Sequence, residues 1–267
     1  MGVLNVTPDS FSDGGLYATA DAAVARGLDM VAAGADLIDV GGESSRPGAD
    51  PVPVEVELER VVSVVEALAA AATRDRRGVR VSVDTVKPEV AVAALAAGAS
   101  LVNDISASLF EVAAAAGAGW VAMHMRGQPR TMQENPHYAD VAHEVCSFLL
   151  ERVGRARRAG VREIWVDPGI GFGKTTAHNL SLLRHLGDLV EAAAGAGCAG
   201  VLVGTSRKRF LGVLAAAPGS EEPAPMAARV EGSLATEAAA LVAGVGMVRV
   251  HDVTATVQMT RLYGPAA

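Results

Sequence analysis

The hydrophobic positions of this chain form a repeated pattern, in which an alanine-rich amphipathic run ends in Ala-Gly and a short apolar segment follows. A glycine just past the end of a helix adopts the left-handed conformation without steric cost. Each copy therefore predicts a helix end, a tight turn and a buried parallel strand. The six glycines of the pattern are Gly34, Gly98, Gly117, Gly160, Gly197 and Gly244.

Eight strands follow from this reading, because two further apolar segments lack the Ala-Gly turn but have the same character. The predicted strands are residues 2–6, 36–40, 79–83, 100–104, 120–124, 164–167, 200–204 and 247–250. Helical periodicity between them predicts helices over residues 19–33, 54–72, 88–97, 109–116, 140–159, 177–194, 228–243 and 253–263.

The alternation of strand and helix, eight times over, predicts an α/β fold: a (β/α)8 TIM barrel in a single domain over residues 1–267. A doubly wound open sheet is the alternative, because periodicity does not reveal whether a sheet closes. The Pro-rich segment 217–225 is interpreted as an insertion inside one strand-to-helix segment rather than as a linker.

Composition and charge narrow the function. Hydrophobic residues make up 50% of the chain and aromatic residues only 4%, which suits small helices packed closely on β-branched strands. The net charge of −7 argues against a nucleic-acid partner, which requires a basic face. The longest uncharged stretches, such as residues 192–206, are shorter than the ~20 residues of a membrane span. The two cysteines fit no metal-binding or disulfide pattern, and the start of the chain has no basic segment followed by an apolar one. Both observations predict a cytoplasmic protein.

Polar side chains collect at the carboxyl ends of the predicted strands, whereas the turns before the strands are mostly Ala-Gly. In a barrel these ends meet at one face, where active sites of this fold lie. Burying many polar groups is costly unless they pair or meet a ligand, and helix capping accounts for only one or two of them. The residues are Asn5, Asp39, Glu43, Asp84, Asn103, Asp104, His124, Arg126, Asp167, Ser206, Arg207, Lys208, Arg249 and His251.

Four loops at this face have a chemistry of their own. The polar loop 5–15 is longer than usual and predicts a mobile lid, and the loop 41–49 contains an arginine suited to phosphate or carboxylate. Segment 204–210 offers hydroxyls, cations and helix amides to an anion. The glycines of segment 167–175 do not have phosphate-loop spacing, and we interpret them as permitting close approach to a flat ligand.

Seven motifs, in order over nearly the whole chain, closely resemble the dihydropteroate synthase family, the pterin-binding barrels of folate synthesis. They are NVTPDSF (5–11), GGESSRPG (41–48), VDT (83–85), NDI (103–105), DPGIGFGK (167–174), SRK (206–208) and RVHD (249–252). The resemblance implies a transferase that joins 6-hydroxymethyl-7,8-dihydropterin diphosphate to 4-aminobenzoate, giving 7,8-dihydropteroate and diphosphate. It also implies Mg²⁺ as cofactor, a homodimer, and sulfonamides that compete with 4-aminobenzoate.

The resemblance further implies roles for the residues that match these motifs. The implied pterin pocket consists of Asp84, Asn103, Asp167 and Lys208. The implied diphosphate site consists of Arg46, Arg249, His251 and Asn5, and Asn5 would also contact Mg²⁺. The implied 4-aminobenzoate pocket consists of Ser45, Pro47, Phe172, Ser206 and Lys208. Asp9 would help to cover the reacting carbon, and the implied catalytic residues are Asp9, Arg46, Asp84 and Lys208.

Two alternatives remain open at this point. A pterin-dependent methyltransferase on the same barrel would share Asp84, Asn103 and Asp167, but it would not need Arg46 or segment 206–208. A pterin-binding paralogue without synthase activity would keep the pocket and lose one of the loops, and fold alone does not distinguish it from an enzyme.

Overall fold

A computed structural model describes residues 1–7, 16–44, 50–73, 75, 77–128 and 130–263, with only the backbone described at 16–19. Its strands are β1 (Gly2–Asn5), β2 (Leu37–Gly41), β3 (Arg80–Asp84), β4 (Leu101–Asp104), β5 (Gly119–Met123), β6 (Ile164–Asp167), β7 (Gly200–Val203) and β8 (Met247–Val248). Its helices are α1 (Leu16–Ala32), α2 (Val54–Ala72), α3 (Pro88–Ala96), α4 (Phe110–Ala116), α5 (Val141–Ala159), α6 (Thr176–Arg184), α7 (Leu186–Gly195), α8 (Arg209–Leu214), α9 (Val230–Val242) and α10 (Val253–Tyr263), with a 3-10 helix at Met226–Arg229 before α9.

The strands form one parallel sheet in the order β1 to β8. Beyond the end of β8, Val250 pairs in parallel with Gly2. The Val3 N–H donates to the Val250 carbonyl and the Val250 N–H to the Met1 carbonyl, each at 2.9 Å. These bonds join the last strand to the first, so the (β/α)8 barrel is confirmed over the open sheet.

The turns that precede six of the strands have the predicted geometry. All six glycines of the Ala-Gly pattern have positive φ, from 67° at Gly117 to 109° at Gly98. After α5, Gly160 has φ 98° and its N–H returns to the Arg157 carbonyl at 3.0 Å, which ends the helix. The local conformation that only glycine adopts easily therefore sets where each of these helices stops.

Three elements differ from the prediction. Helix α8 (Arg209–Leu214) lies outside the eight helices expected. The helix expected at residues 177–194 is two helices, α6 and α7, because His185 has non-helical backbone angles, φ −103° and ψ 18°. The strand expected at 247–250 is shorter, since β8 ends at Val248. The segment 217–225 lies between α8 and the 3-10 helix, inside the connection from β7 to α9.

The amino-terminal half of the barrel interior is apolar and its lower rim is closed by an ion pair. Leu37, Leu101, Val121 and Leu202 form one buried cluster there. Beneath it, the Arg80 guanidinium contacts both carboxylate oxygens of Glu163 at 2.7 and 2.8 Å. The polar side chains of the interior lie at the opposite end, at the carboxyl ends of the strands, which we call the barrel mouth. Within the described ranges, each helix is too short or too polar to span a lipid bilayer.

Candidate active site

A buried carboxylate, Asp39 on β2, is the centre of the polar network at the barrel mouth. Its side chain is fully buried and accepts hydrogen bonds from Asn103 Nδ2 at 2.9 Å, from Arg249 Nε at 2.6 Å and from the Ser82 hydroxyl. Arg249 Nη2 also donates to Asp84 Oδ2 at 2.7 Å. Four strand ends are therefore linked through one arginine and two aspartates.

Strand register explains why these side chains meet. In β2 and β3, Asp39 lies opposite Ser82 and Gly41 lies opposite Asp84. Alternate residues of a strand face the same side, so the polar residues point into the barrel while the valines between them face the helices. A Cβ at Gly41 would lie 3.5 Å from Asp84 Cβ and 3.7 Å from Asn5 Oδ1, so Asp84 and Asn5 flank the space above Gly41.

Burial and charge act in opposite directions on this network. Burial raises the pKa of Asp84 to about 7, against the lowering effect of Arg249. Burial also opposes the charge of Arg249, but Asp39 and Asp84 hold its pKa above the ordinary value. The Arg249 side chain is 20% exposed, and its Nη1 makes no hydrogen bond to the described part of the chain. Among the described residues, one edge of this permanently charged guanidinium is thus left for an anion.

Asp167 and Lys208 form the second half of the mouth. The Gly169 N–H donates to Asp167 Oδ1 at 2.7 Å, the Lys208 ammonium donates to the Ile170 carbonyl, and Lys208 Nζ lies 4.7 Å from the centre of the Phe172 ring. Burial raises the pKa of Asp167, and burial lowers the pKa of Lys208 to about 8; each shift is opposed by the charge of the other residue.

The two halves adjoin at Gly204. A Cβ there would lie 3.6 Å from Arg249 Cβ and 3.8 Å from Lys208 Nζ. Nearby, the His251 N–H donates to Ser206 Oγ at 3.1 Å, and His251 Nδ1 lies 3.1 Å from the same oxygen. Arg249 donates to Asp39 and Asp84, His251 contacts Ser206, and the expectation that both address one ligand group stays a prediction.

Most of the predicted site residues gather at the mouth, and some lie outside the described residues. Those gathered are Asn5, Asp84, Asn103, Asp167, Phe172, Ser206, Lys208, Arg249 and His251. Asp9, Ser45, Arg46 and Pro47 lie outside the described residues, as does most of the predicted lid. Their implied roles therefore remain predictions, as do the ligand contacts of the residues that gather.

One polar strand end turns away from the mouth. Asp104 accepts from the backbone N–H groups of Ser108 at 2.7 Å and Leu109 at 2.6 Å, and from Trp120 Nε1 at 3.0 Å. This carboxylate therefore organises the turn that leads into α4, which is a structural role, although it does not cap the helix itself.

Three residues that organise the mouth had no specific role in the prediction: Asp39 and His124, which were placed at this face, and Lys174. Asp39 had a usable signal, because a charged residue inside an otherwise apolar buried strand must have a partner. Lys174 had a weaker one: it is one of only three lysines in the chain. Its side chain is 2% exposed and lies 3.0 Å from His124 Nδ1.

The donors at the mouth fit a magnesium ion that is held mainly by substrate. Mg²⁺ usually keeps several waters and takes one or two protein oxygens plus phosphate oxygens. Asn5 Oδ1, beside Asp84 across Gly41, is a donor of that kind. Within the described ranges no group of three His, Cys, Asp or Glu side chains is arranged to hold a metal by itself.

Comparison with known proteins identifies the family. A family model described as pterin binding enzyme matches residues 1–251. The chain is 44% identical to the dihydropteroate synthase of Escherichia coli strain K12, over 98% of this chain and 89% of the relative. A structure of the Xanthomonas albilineans dihydropteroate synthase with 4-aminobenzoic acid has 47% identity and a TM-score of 0.86, over 98% of this chain and 90% of that one.

A second Xanthomonas albilineans structure, in complex with 7,8-dihydropteroate, has 43% identity and a TM-score of 0.81, over 98% of this chain and 91% of the other. These relatives support the synthase over the methyltransferase and over a non-catalytic paralogue. On the family match, the identities and the arrangement of the mouth, this chain belongs to the pterin-binding enzymes, as a member of the dihydropteroate synthase family.

Proposed function

We propose that this chain joins 6-hydroxymethyl-7,8-dihydropterin diphosphate to 4-aminobenzoate, forming 7,8-dihydropteroate and diphosphate in folate biosynthesis. The observation that carries the proposal is the pairing of buried carboxylates with cations at one barrel mouth: Asp39 and Asp84 with Arg249, and Asp167 beside Lys208. A site of this composition suits a polar planar ring and an anionic leaving group together.

The pterin is held through its polar edges. Its amino and ring N–H groups form a planar donor edge, which a carboxylate such as Asp167 accepts in bidentate fashion. Asp84 and Asn103 lie across the mouth and supply further polar contacts. Removing the carboxylate would leave buried donors unpaired, at a cost of about 1–3 kcal/mol each.

The diphosphate departs as a polyanion, so cationic donors must face it. Arg249 offers its open Nη1 edge, and His251 lies at the same end of the barrel. Asn5 would hold Mg²⁺ together with the diphosphate, and the ion would supply neutralising charge at the oxygens of the leaving group. Groups aimed at oxygens where charge develops favour the transition state over the bound substrate.

The bond change takes place at the methylene carbon of the pterin. The carbon–oxygen bond breaks with its electron pair going to diphosphate, and electron donation from the pterin ring supports the carbon. The amine nitrogen of 4-aminobenzoate then forms the carbon–nitrogen bond and releases one proton to diphosphate or water. An arylamine is neutral at pH 7, so the reaction demands no strong general base.

The arylamine is held by the end of β7 and by the β6–α6 loop. Lys208 and Ser206 offer an ammonium and a hydroxyl to its carboxylate, and the Phe172 ring supplies an apolar face. Sulfonamides, which share the shape of the arylamine, are expected to compete for this pocket. Competition is measured as a rise in the KM for 4-aminobenzoate with unchanged kcat.

We also propose a cytoplasmic homodimer. Val242 on α9 and Leu262 on α10 are 73% and 81% exposed, and the two helices are neighbours. Large exposed apolar side chains on neighbouring helices favour association with another copy. Light scattering would report the mass, and Leu262→Asp is expected to shift it toward the monomer.

The decisive experiment mixes the purified protein with the pterin diphosphate, 4-aminobenzoate and Mg²⁺ and measures diphosphate. Release should depend on the arylamine, stop when the metal is chelated, and be lost together with arylamine binding in Lys208→Ala. Release that continues without the arylamine would indicate simple hydrolysis, and unchanged activity of Lys208→Ala would contradict the assigned site.

A further inference from the structure

Lys174 at the end of the β6–α6 loop is a buried cation that the proposed reaction does not use. Its Nζ lies 2.9 Å from the Gly169 carbonyl, 3.0 Å from the Phe172 carbonyl, 3.2 Å from the His124 carbonyl and 3.0 Å from His124 Nδ1. An ammonium has three N–H donors and no acceptor, so this cage of acceptors matches its charged form. Burial nevertheless lowers the pKa of Lys174 to about 7, against the effect of Asp167.

The imidazole of His124 completes the cage as an acceptor. Burial and the charge of Lys174 lower the pKa of His124 to about 3, so the ring is neutral at pH 7. Its plane is fixed by an edge contact with Phe148, with ring centres 5.0 Å apart and an interplanar angle of 88°. Lys174 therefore ties the β6–α6 loop to a ring that does not ionise near neutral pH.

The β6–α6 loop packs tightly against the end of β5. At Gly169, which has φ 64°, a Cβ would lie 1.9 Å from the His124 carbonyl oxygen, and at Gly173 a Cβ would lie 2.2 Å from the Arg126 carbonyl oxygen. The close approach that these glycines permit is thus to the backbone after β5. Lys174 fills the centre of the resulting loop, and its bonds replace those that the loop carbonyls would otherwise make to water.

The same loop carries three contacts of the mouth. The Gly169 N–H orients Asp167, the Ile170 carbonyl accepts from Lys208, and the Phe172 ring faces the Lys208 ammonium. Residues 169, 170 and 172 lie within the arc that Lys174 closes. Loss of the bonds that Lys174 makes would therefore alter the orientation of both the Asp167 carboxylate and the Lys208 ammonium.

We infer that Lys174 is a positioning residue for this reaction, whose buried ammonium holds the β6–α6 loop in the shape that directs Asp167 and Lys208 at the ligands. The inference rests on the proposed function for its kinetic consequence. Lys174 acts through the loop and does not itself touch the proposed ligands, so it is not assigned a catalytic role.

The first test is Lys174→Met, which keeps the length of the side chain and removes its donors. We expect the KM for 4-aminobenzoate to rise at least tenfold while kcat falls no more than threefold. Loss of the ammonium donors changes the conformation of the β6–α6 loop but leaves the loop at the barrel mouth. A purely structural role would lower the melting temperature and the active fraction and leave KM unchanged, and that result would overturn the inference.

A matched control separates site effects from loss of stability. Arg80→Met removes the ion pair with Glu163 at the opposite end of the barrel. It is expected to lower the melting temperature and to leave both KM values unchanged. If Lys174→Met does not fold, His124→Phe keeps the three carbonyl bonds and removes one acceptor, and it should raise the same KM about two- to fivefold. An unchanged KM in a folded His124→Phe would overturn the inference.

Restoring the ammonium provides the next test. Lys174→Cys, made in a protein with Cys146→Ala and Cys198→Ala, is alkylated with 2-bromoethylamine under denaturing conditions and refolded. This places an ammonium at nearly the reach of lysine. The KM for 4-aminobenzoate should return to within threefold of the background protein treated in the same way, and a failure to return would contradict the role of the charge.

A readout that needs no turnover distinguishes this inference from the proposed function. The chain has only three lysines, Lys87, Lys174 and Lys208, so acetylation by acetic anhydride is assigned by peptide mass. In Lys174→Met, the acetylation rate of Lys208 should rise at least threefold while that of Lys87 stays the same. If the unmodified protein shows no synthase activity but this change occurs, the proposed function fails and the positioning role stands. If acetylation of Lys208 does not change, the positioning role fails.

Discussion

Arg207 Nε lies 2.8 Å from Asp252 Oδ2, and its Nη2 donates to Oδ1, so the guanidinium and the carboxylate form a bidentate pair. The backbone of Arg207 has φ 57°, a left-handed conformation that residues other than glycine adopt at a cost. Its N–H donates to Ser233 Oγ at 2.9 Å and its carbonyl accepts from Arg229 Nη1 at 3.0 Å. These contacts hold a strained residue in the middle of the SRK motif.

Asp252→Asn should therefore affect the arylamine site more than the fold. Ser206 and Lys208, the neighbours of Arg207, belong to the proposed 4-aminobenzoate pocket, and their orientation depends on its backbone. We expect kcat/KM for 4-aminobenzoate to fall about tenfold, equivalent to about 1.4 kcal/mol. The pair is partly exposed, so the free energy of unfolding should change by no more than about 1 kcal/mol. Initial rates and thermal unfolding measure the two effects.

The control for this prediction is Asp75→Asn. Asp75 forms a similar bidentate pair with Arg77, at 2.9 and 3.2 Å, in the turn before β3 at the other end of the barrel. Its loss is expected to leave kcat/KM unchanged. Equal kinetic losses in both variants would mean that the strained residue has no special part in the site.

Asp39→Asn is expected to destabilise the protein strongly. Asp39 is fully buried and pairs with Arg249, and removing one partner of a buried ion pair typically costs about 3–5 kcal/mol because the other charge stays behind. The same change frees Arg249 and Asn103 and should weaken binding of the pterin diphosphate. Urea unfolding and calorimetry measure the two effects. Glu163→Gln, in the ion pair at the lower rim, should lower stability without changing the affinity for the pterin diphosphate. An unchanged affinity in Asp39→Asn would show that the network around Asp39 does not contribute to binding of this ligand.

The KM for 4-aminobenzoate should depend on pH through Lys208. Burial lowers the pKa of Lys208 to about 8, against the effect of Asp167, so the ammonium is present at pH 7 and is lost as the pH rises through 8. An ammonium that holds the substrate carboxylate predicts a rise in KM of about tenfold between pH 7 and pH 9. In Lys208→Arg the guanidinium stays charged over this range, and the profile should be flat. A flat profile in the unmodified protein would argue against contact between Lys208 and the carboxylate.

The strands and turns were predictable because their determinants are local. Strand β6 and helix α2 have the predicted bounds, and the six Ala-Gly turns have the predicted left-handed glycines. The break between α6 and α7 at His185 was not predictable from periodicity. The apolar pattern of a helix continues across His185, although the backbone angles of this residue are not helical. Strand β8 is short because its pairing with β7 ends at Val248, which depends on neighbours rather than on its own apolar residues.

The location of the site was predictable, but its pairings were not. The rule that strand ends meet at one face placed Asp84, Asp167 and Lys208 together from the sequence alone. It does not reveal which charges pair, and Arg249 contacts Asp39 across 210 positions of the chain. The role of Lys174 depends on three carbonyl groups, and backbone groups carry no sequence signal.

The contact between Phe172 and Lys208 leads to a further prediction. The Lys208 ammonium lies 4.7 Å from the centre of the Phe172 ring, within the distance at which the negative face of an aromatic ring attracts a cation. Such contacts contribute about 0.5–1 kcal/mol at exposed sites and more when water is excluded. Phe172→Leu keeps an apolar surface and removes the ring face, so the KM for 4-aminobenzoate should rise about two- to fivefold.

The same variant should also move the pH profile, which distinguishes loss of the cation contact from loss of packing. Without the ring, the charged form of Lys208 is less favoured, its pKa falls, and the rise in KM begins at a lower pH than in the unmodified protein. Phe110→Leu is the matched control, because Phe110 lies 5.4 Å from the Arg155 guanidinium on the outer helices. It should lower stability and leave the profile in place. A Phe172→Leu profile that keeps its midpoint would show that the ring contributes only packing.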